Sequence, residues 1–228
     1  MTNDLHLPGD PTPGWTLLIG GGEFSFGETE EADRFLLAHM PPERKTIAFI
    51  PTASGSPDYA KHLGIWLQKL DPEVTVVNVP VYRARDLRRG KNLATIREAG
   101  AVYIGGGVTN LLAETLRGSA TEEAMREALA SGAIVAGIGA GAACLGAWTA
   151  DAHRVGSAIE GFGWLPATAI ETAFDPERAD TLRRLMSIPE VDLGLGIPSG
   201  TALAIAPDRR GTILGDGQLA VVRKPGAN

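Results

Sequence analysis

The sequence has one cysteine, Cys144, in 228 residues, so no internal disulfide can form and nothing in the fold depends on an oxidising compartment. It has no apolar run near the roughly 20 residues that a membrane-crossing helix needs. Positive charge is also scarce: 21 Lys and Arg stand against 27 Asp and Glu, a net charge of −6. That balance argues against nucleic acid or an anionic membrane as partner, because both attract a cationic face. Histidine is rarer still, with only His6, His39, His62 and His153. No spacing of Cys, His, Asp and Glu suggests a metal site, and no motif calls for a cofactor. The first residues lack both a cationic start and an apolar stretch, so a secretion signal is not expected and a cytoplasmic location is.

What remains is the composition of a globular protein, 44% hydrophobic and 21% charged. Residues 1–14, with Pro8, Pro11, Pro13, Gly9 and Gly14, read as a flexible tail, and residues 15–228 as a single α/β domain. Short apolar runs at 15–19, 46–50, 74–79, 101–104 and 133–136 alternate with helical spacing at 28–40, 58–70, 92–99, 111–116 and 121–130. That alternation is the signature of parallel βαβ units. After Trp164 the pattern loosens to a helix at 176–186 and two late strands, 202–206 and 211–222, around an Asp208-Arg209-Arg210-Gly211 turn. The expectation is one doubly wound, mostly parallel sheet with helices on both faces and a late β-hairpin. Its ligand crevice would lie at the carboxyl ends of the strands.

Three of those strands end in glycine clusters, at 20–22, 105–107 and 137–141. The first puts Ser25 where a dinucleotide fingerprint needs its third glycine, and no Gly-Lys-Ser/Thr phosphate loop exists. The third is more specific. A buried strand, the turn Gly137-Ile138-Gly139-Ala140-Gly141 and a helix starting at Ala142 have the strand–turn–helix form of a nucleophile elbow. The apex residue of such a turn holds its side chain over the start of a helix, where backbone N–H groups can stabilise an oxyanion. Here the apex is Gly139, which has no side chain to attack with.

These residues resemble the serine peptidases that include dipeptidase E (aspartyl dipeptidase) and cyanophycinase, a group with a flavodoxin-like, class I glutamine-amidotransferase-like fold. The similar stretches are Leu18-Ile19-Gly20-Gly21-Gly22-Glu23, Ile50-Pro51-Thr52-Ala53-Ser54-Gly55, Tyr103-Ile104-Gly105-Gly106-Gly107 and the elbow. They continue with Gly194-Leu195-Gly196-Ile197, Thr201-Ala202-Leu203 and Gly215-Asp216-Gly217. The resemblance implies a G-x-S-A-G-A elbow, but this chain has Gly139 in the serine position. It implies a D-x-H-F segment, but the matching Glu171-Thr172-Ala173-Phe174 puts Ala173 in the histidine position, and no histidine follows His153. An acidic pair expected before Thr201 is replaced by Pro198 and Ser199. The Asp/Asn-Gln/Thr pair expected after Gly105 and Gly106 is replaced by Gly107 and Val108.

The resemblance therefore implies a peptidase fold with Gly139, Ala173 and Ser199 as vacated catalytic positions and no catalytic residue expected. Its pocket would keep oxyanion-type backbone donors at Gly105, Gly106, Gly107 and Ala140. The leading expectation is a non-catalytic homologue, a pseudoenzyme, binding a small acidic molecule or peptide. One rival is an active serine-type hydrolase with a relocated nucleophile, for which Ser25, Ser54 and Ser56 follow strand ends and Cys144 is the sole thiol. Another is a structural or interaction protein with a filled cleft. Arg83, Arg85, Arg88, Arg89 and Lys91 form the one cationic cluster, read as an exposed face that could dock carboxylates. His153, with Asp151 and Arg154, reads as a surface loop. The oligomeric state is not legible from the sequence.

Overall fold

The computed structural model describes residues 5–226. Four runs whose every residue is apolar or small form the sheet centre, because a strand covered on both faces has no solvent side to make polar. They are β2 (Thr16–Ile19), β3 (Thr46–Ile50), β5 (Ala101–Ile104) and β6 (Ile134–Ile138). With β4 (Thr75–Asn78) on the outer edge they make a parallel array in the order β2-β6-β5-β3-β4. Antiparallel β11 (Ala202–Ile205), β12 (Arg210–Leu214) and β1 (Leu5–His6) extend it beyond β2 to eight strands. β11 and β12 are the expected late hairpin.

Alternation along each strand divides the core. Leu17, Ile19, Ile47, Phe49 and Tyr103 face α1 (Glu30–His39) and α2 (Asp58–Leu70). Leu18, Ala48, Ile50, Val102 and Ile104 face the other way, toward α3 (Gly90–Glu98), α4 (Thr109–Leu116) and α5 (Ala120–Ala130). The helices therefore cover both faces, as a doubly wound sheet requires. α5 begins one residue earlier than its sequence suggests. Ser119 is its cap and accepts the Glu122 N–H, while the Thr121 hydroxyl turns inward to the Leu87 carbonyl.

A second, five-stranded sheet was not anticipated. It runs β13-β10-β9-β7-β8, from β7 (Gly146–Ala150), β8 (Ala158–Glu160), β9 (Leu165–Thr172), β10 (Leu193–Ile197) and β13 (Ala220–Arg223). It packs into the core on the α4–α5 side through Leu165, Ile170, Leu195 and Ile197. α7 (Asp180–Met186) lies against it. The expected strand 211–222 is thus two strands in different sheets, parted at residues 215–219.

Residues 5–14 do not form a free tail. Leu5 and His6 pair with β12, Leu7 is 0% exposed in the core, and its N–H donates to the Arg209 carbonyl at 2.9 Å. The Thr12 N–H donates to Pro207 at 3.1 Å. Residues 1–4 of the expected tail lie outside the described residues.

Candidate functional site

In the sheet β6 lies between β2 and β5, so the three glycine exits that follow these strands share one end of the sheet. At the centre, Ile138 ends β6 and the four-residue helix α6 (Ala140–Ala143) starts two residues later, leaving Gly139 to turn the chain. Its backbone, at φ 53° and ψ −116°, is in a region that side-chain-bearing residues enter only under strain. The flanking glycines answer a different need. A Cβ on Gly137 would lie 2.5 Å from Gly141, and one on Gly141 would lie 2.2 Å from the Ile104 carbonyl oxygen. Strand, turn and helix can come this close only without those side chains.

A Cβ on Gly139 would meet open space, with the Gly106 Cα at 3.9 Å as its one neighbour within 4 Å. Among the described residues, the N–H groups of Gly106, Gly107 and Ala140 have no protein acceptor. The Gly105 N–H, expected to be a fourth donor, is bound to the Ile50 carbonyl at 3.0 Å and is withdrawn from the crevice.

The first glycine loop joins the remaining positions to this apex. Three successive carbonyls each accept one N–H: Ile19 from Gly139 at 2.9 Å, Gly20 from Ala173 at 2.7 Å, and Gly21 from Gly200 at 3.0 Å. Gly139, Ala173 and the loop of Ser199 are therefore fastened to consecutive residues of one strand end. Ala173 is exposed and has φ 49°, one of three non-glycine residues with positive φ among the described residues. Ser199 is exposed, with its Oγ 3.2 Å from where a Gly21 Cβ would stand. Beside it opens a groove of about 460 Å³ walled by Glu28, Glu31, Ser199 and Asp216.

Ser25 and Ser54 hold their hydroxyls in local hydrogen bonds. Ser25 Oγ donates to Glu23 Oε1 at 2.9 Å, and Ser54 Oγ donates to the Pro51 carbonyl at 3.2 Å. Ser56 is joined to Ser54 through its backbone N–H. Cys144 is buried, and burial pushes its thiol up to about 12, where almost no thiolate exists near neutral pH. Among the described residues, no hydrogen bond joins a histidine to a serine, threonine or cysteine side chain. His39 Nδ1 sits 2.8 Å from the Phe35 carbonyl, and exposed His153 makes only a backbone bond to Asp151. The five cations at 83–91 are exposed around buried Asp86, with Arg85 and Arg89 at 3.9 and 3.8 Å from its carboxylate. Among the described residues no group of three or more His, Cys, Asp or Glu could hold a metal ion, and no helix is long and apolar enough to cross a membrane.

The family model for peptidase family S51 matches residues 16–213, a span that includes the glycine loops, the elbow and Ala173. The chain belongs to peptidase family S51. A curated relative, the uncharacterized peptidase YgaJ of Bacillus subtilis (strain 168), is 32% identical over 130 residues. That match covers 56% of this chain and 54% of the relative, so the chain aligns with about half the relative's length. Two solved structures share the fold. A peptidase from an acI-B1 Actinobacterium has a TM-score of 0.75 at 22% identity, covering 95% of this chain and 93% of its own. A putative peptidase E from Listeria monocytogenes EGD-e has a TM-score of 0.56 at 15% identity, covering 93% and 99%.

Within the S51 fold the elbow backbone and its unused donors are present, and the apex side chain is absent. That arrangement leaves the Gly106 and Ala140 N–H groups without a protein acceptor among the described residues, and it offers no hydroxyl at Gly139 to attack a carbonyl.

Proposed function

We propose that this S51 chain is catalytically silent and that its elbow crevice binds a small acidic molecule or peptide without cleaving it. The observation that carries this reading is Gly139, an apex in elbow geometry with space for a side chain and none present. The open N–H groups of Gly106, Gly107 and Ala140 support binding of an anionic or carbonyl oxygen. Ala173, fastened to Gly20 in a strained conformation, supports loss of the base rather than loss of the site. Glu28, Glu31 and Asp216 give the adjoining groove the opposite preference, so a zwitterionic peptide would turn its amino group toward them.

A fluorophosphonate probe, Asp-X dipeptides and β-Asp-Arg peptides test this directly. The expected result is no labelling and no turnover, with calorimetric binding of at least one of the peptides. Turnover at peptidase-like rates, or stoichiometric labelling of a mapped serine, overturns it. One observation favours the relocated-nucleophile reading, the Ser25–Glu23 hydrogen bond. Labelling that maps to Ser25 and disappears in Ser25→Ala would establish that reading instead.

A further inference from the structure

Thr29 occupies the cap position of α1, yet its side chain caps nothing. Its hydroxyl donates to Asp33 Oδ2 at 2.7 Å, and the indole N–H of Trp66 donates to the same oxygen at 2.8 Å. One carboxylate oxygen therefore ties the start of α1 to α2. The other, Oδ1, is buried without a partner among the described residues, and the residue is 0% exposed. Tyr103 Oη, on β5, is likewise buried without a partner among the described residues.

This tie supports the loop that organises the crevice. A Cβ on Gly22 would lie 3.2 Å from Glu28 Cβ and 3.3 Å from Thr29 Cγ2, so the loop rests directly on the residues before α1. The Glu23 N–H donates to Glu28 at 2.7 Å, and the carbonyls of Gly20 and Gly21 hold Ala173 and Gly200. Glu28 and Glu31 also wall the groove beside Ser199.

We propose that Asp33 is a proton-operated latch on the loop after β2: protonated, it holds α1 and the loop closed on α2, and ionised, it loosens them. The physical reason is the unpartnered oxygen, since a buried carboxylate with one oxygen unsatisfied gains from admitting water. The titratable groups around it are Glu30 on its own helix, Tyr59 on α2 and Tyr103 on β5, with Glu23 acting on Tyr59 from the loop. None of these is a cation that would hold the charge in place. Burial accordingly pushes the Asp33 carboxyl from 3.8 up to about 6, against the two hydrogen bonds that favour ionisation.

The test is hydrogen exchange of the full chain at about pH 5 and about pH 7.5, corrected for intrinsic exchange, with an NMR titration of the Asp33 carboxyl carbon. The expected result is a midpoint near 6, with protection across residues 22–36 falling several-fold relative to β6 at the higher pH. In Asp33→Asn, which keeps an acceptor oxygen but cannot ionise, that fall disappears. A midpoint below about 4.5, unchanged protection through the titration, or the same fall in Asp33→Asn overturns the latch. Should Asp33→Asn not fold, Trp66→Phe removes one donor to the anion and is expected to raise the midpoint. An unmoved midpoint in that variant overturns the proposal.

Discussion

Gly139 faces Gly106 across the crevice, with 3.9 Å between the Gly106 Cα and the place of a Gly139 Cβ. A serine therefore fits the apex, and its cost is conformational. Forcing a non-glycine residue to φ 53° costs about 1–2 kcal/mol, so Gly139→Ser should fold with a correspondingly lower denaturation midpoint. The single variant should stay unlabelled by a fluorophosphonate, because its hydroxyl has no base and triad members act as a unit. Gly139→Ser with Ala173→His should gain slow labelling, measured by mass spectrometry of the intact protein. Equal labelling of single and double variants would show that another base already serves the apex.

Ala173 carries strain that a simpler change removes. At φ 49° an alanine is about 1 kcal/mol less comfortable than glycine. Ala173→Gly should therefore stabilise the protein by up to about that amount, less the added entropy of the unfolded chain. Urea denaturation measures the sign. A loss of stability would mean that the Ala173 methyl group makes contacts outweighing its strain.

The central sheet was legible because β2, β3, β5 and β6 are buried on both faces and read as short unbroken apolar runs. The elbow was legible for a related reason: Gly137 and Gly141 mark backbone approaches that no other residue allows. The second sheet was not. β9 carries Pro166, Thr168, Glu171 and Thr172, so it has neither an apolar run nor clean alternation. β10 carries Gly194 and Gly196, which weaken a strand signal, but each makes room for a packed side chain. A Cβ on Gly194 would lie 2.6 Å from Met186, and one on Gly196 would lie 2.6 Å from Phe174. The N-terminal prolines hid Leu5 and Leu7, which dock through long-range contacts with β12 and Arg209 that no local pattern reports. At the site, the sequence placed Gly139 and Ala173 in a row of motifs. Their attachment to consecutive carbonyls of Ile19 and Gly20 is a tertiary fact, and so is the withdrawal of Gly105 by Ile50.

Cys144 offers a check on packing near the elbow. Its burial and raised pKa predict that the native thiol resists a disulfide reagent at about pH 8, where a free cysteine reacts readily. One equivalent should react after unfolding in guanidinium. Rapid native labelling would mean that the α6 region opens to solvent on the timescale of the assay.

Tyr103 is fully buried, and its hydroxyl has no partner among the described residues. Replacing such a hydroxyl with hydrogen removes an uncompensated desolvation, so Tyr103→Phe should be neutral or stabilising by about 1 kcal/mol. Tyr103→Ala should instead cost on the order of 3–5 kcal/mol, from the cavity left against Phe49. Chemical denaturation of both variants separates the two terms. A Tyr103→Phe variant destabilised by more than about 1 kcal/mol would mean that the hydroxyl has a partner after all, an enclosed water included.

Asp33 should make stability fall as pH rises. Its carboxyl titrates near 3.8 in the unfolded chain and at about 6 in the folded one, so between those values the folded protein holds the extra proton. The contribution is fully present below about pH 4 and is lost as pH passes through about 6. Asp33→Asn removes the ionisation and leaves an amide oxygen for Thr29 and Trp66. The variant should therefore gain on the parent by on the order of 2–3 kcal/mol between about pH 4 and about pH 7.5. Urea denaturation of both proteins across that range reads the difference, with other titrating groups common to both. Stability curves that run parallel would show that the folded carboxyl titrates like an ordinary aspartate and that its buried oxygen reaches solvent.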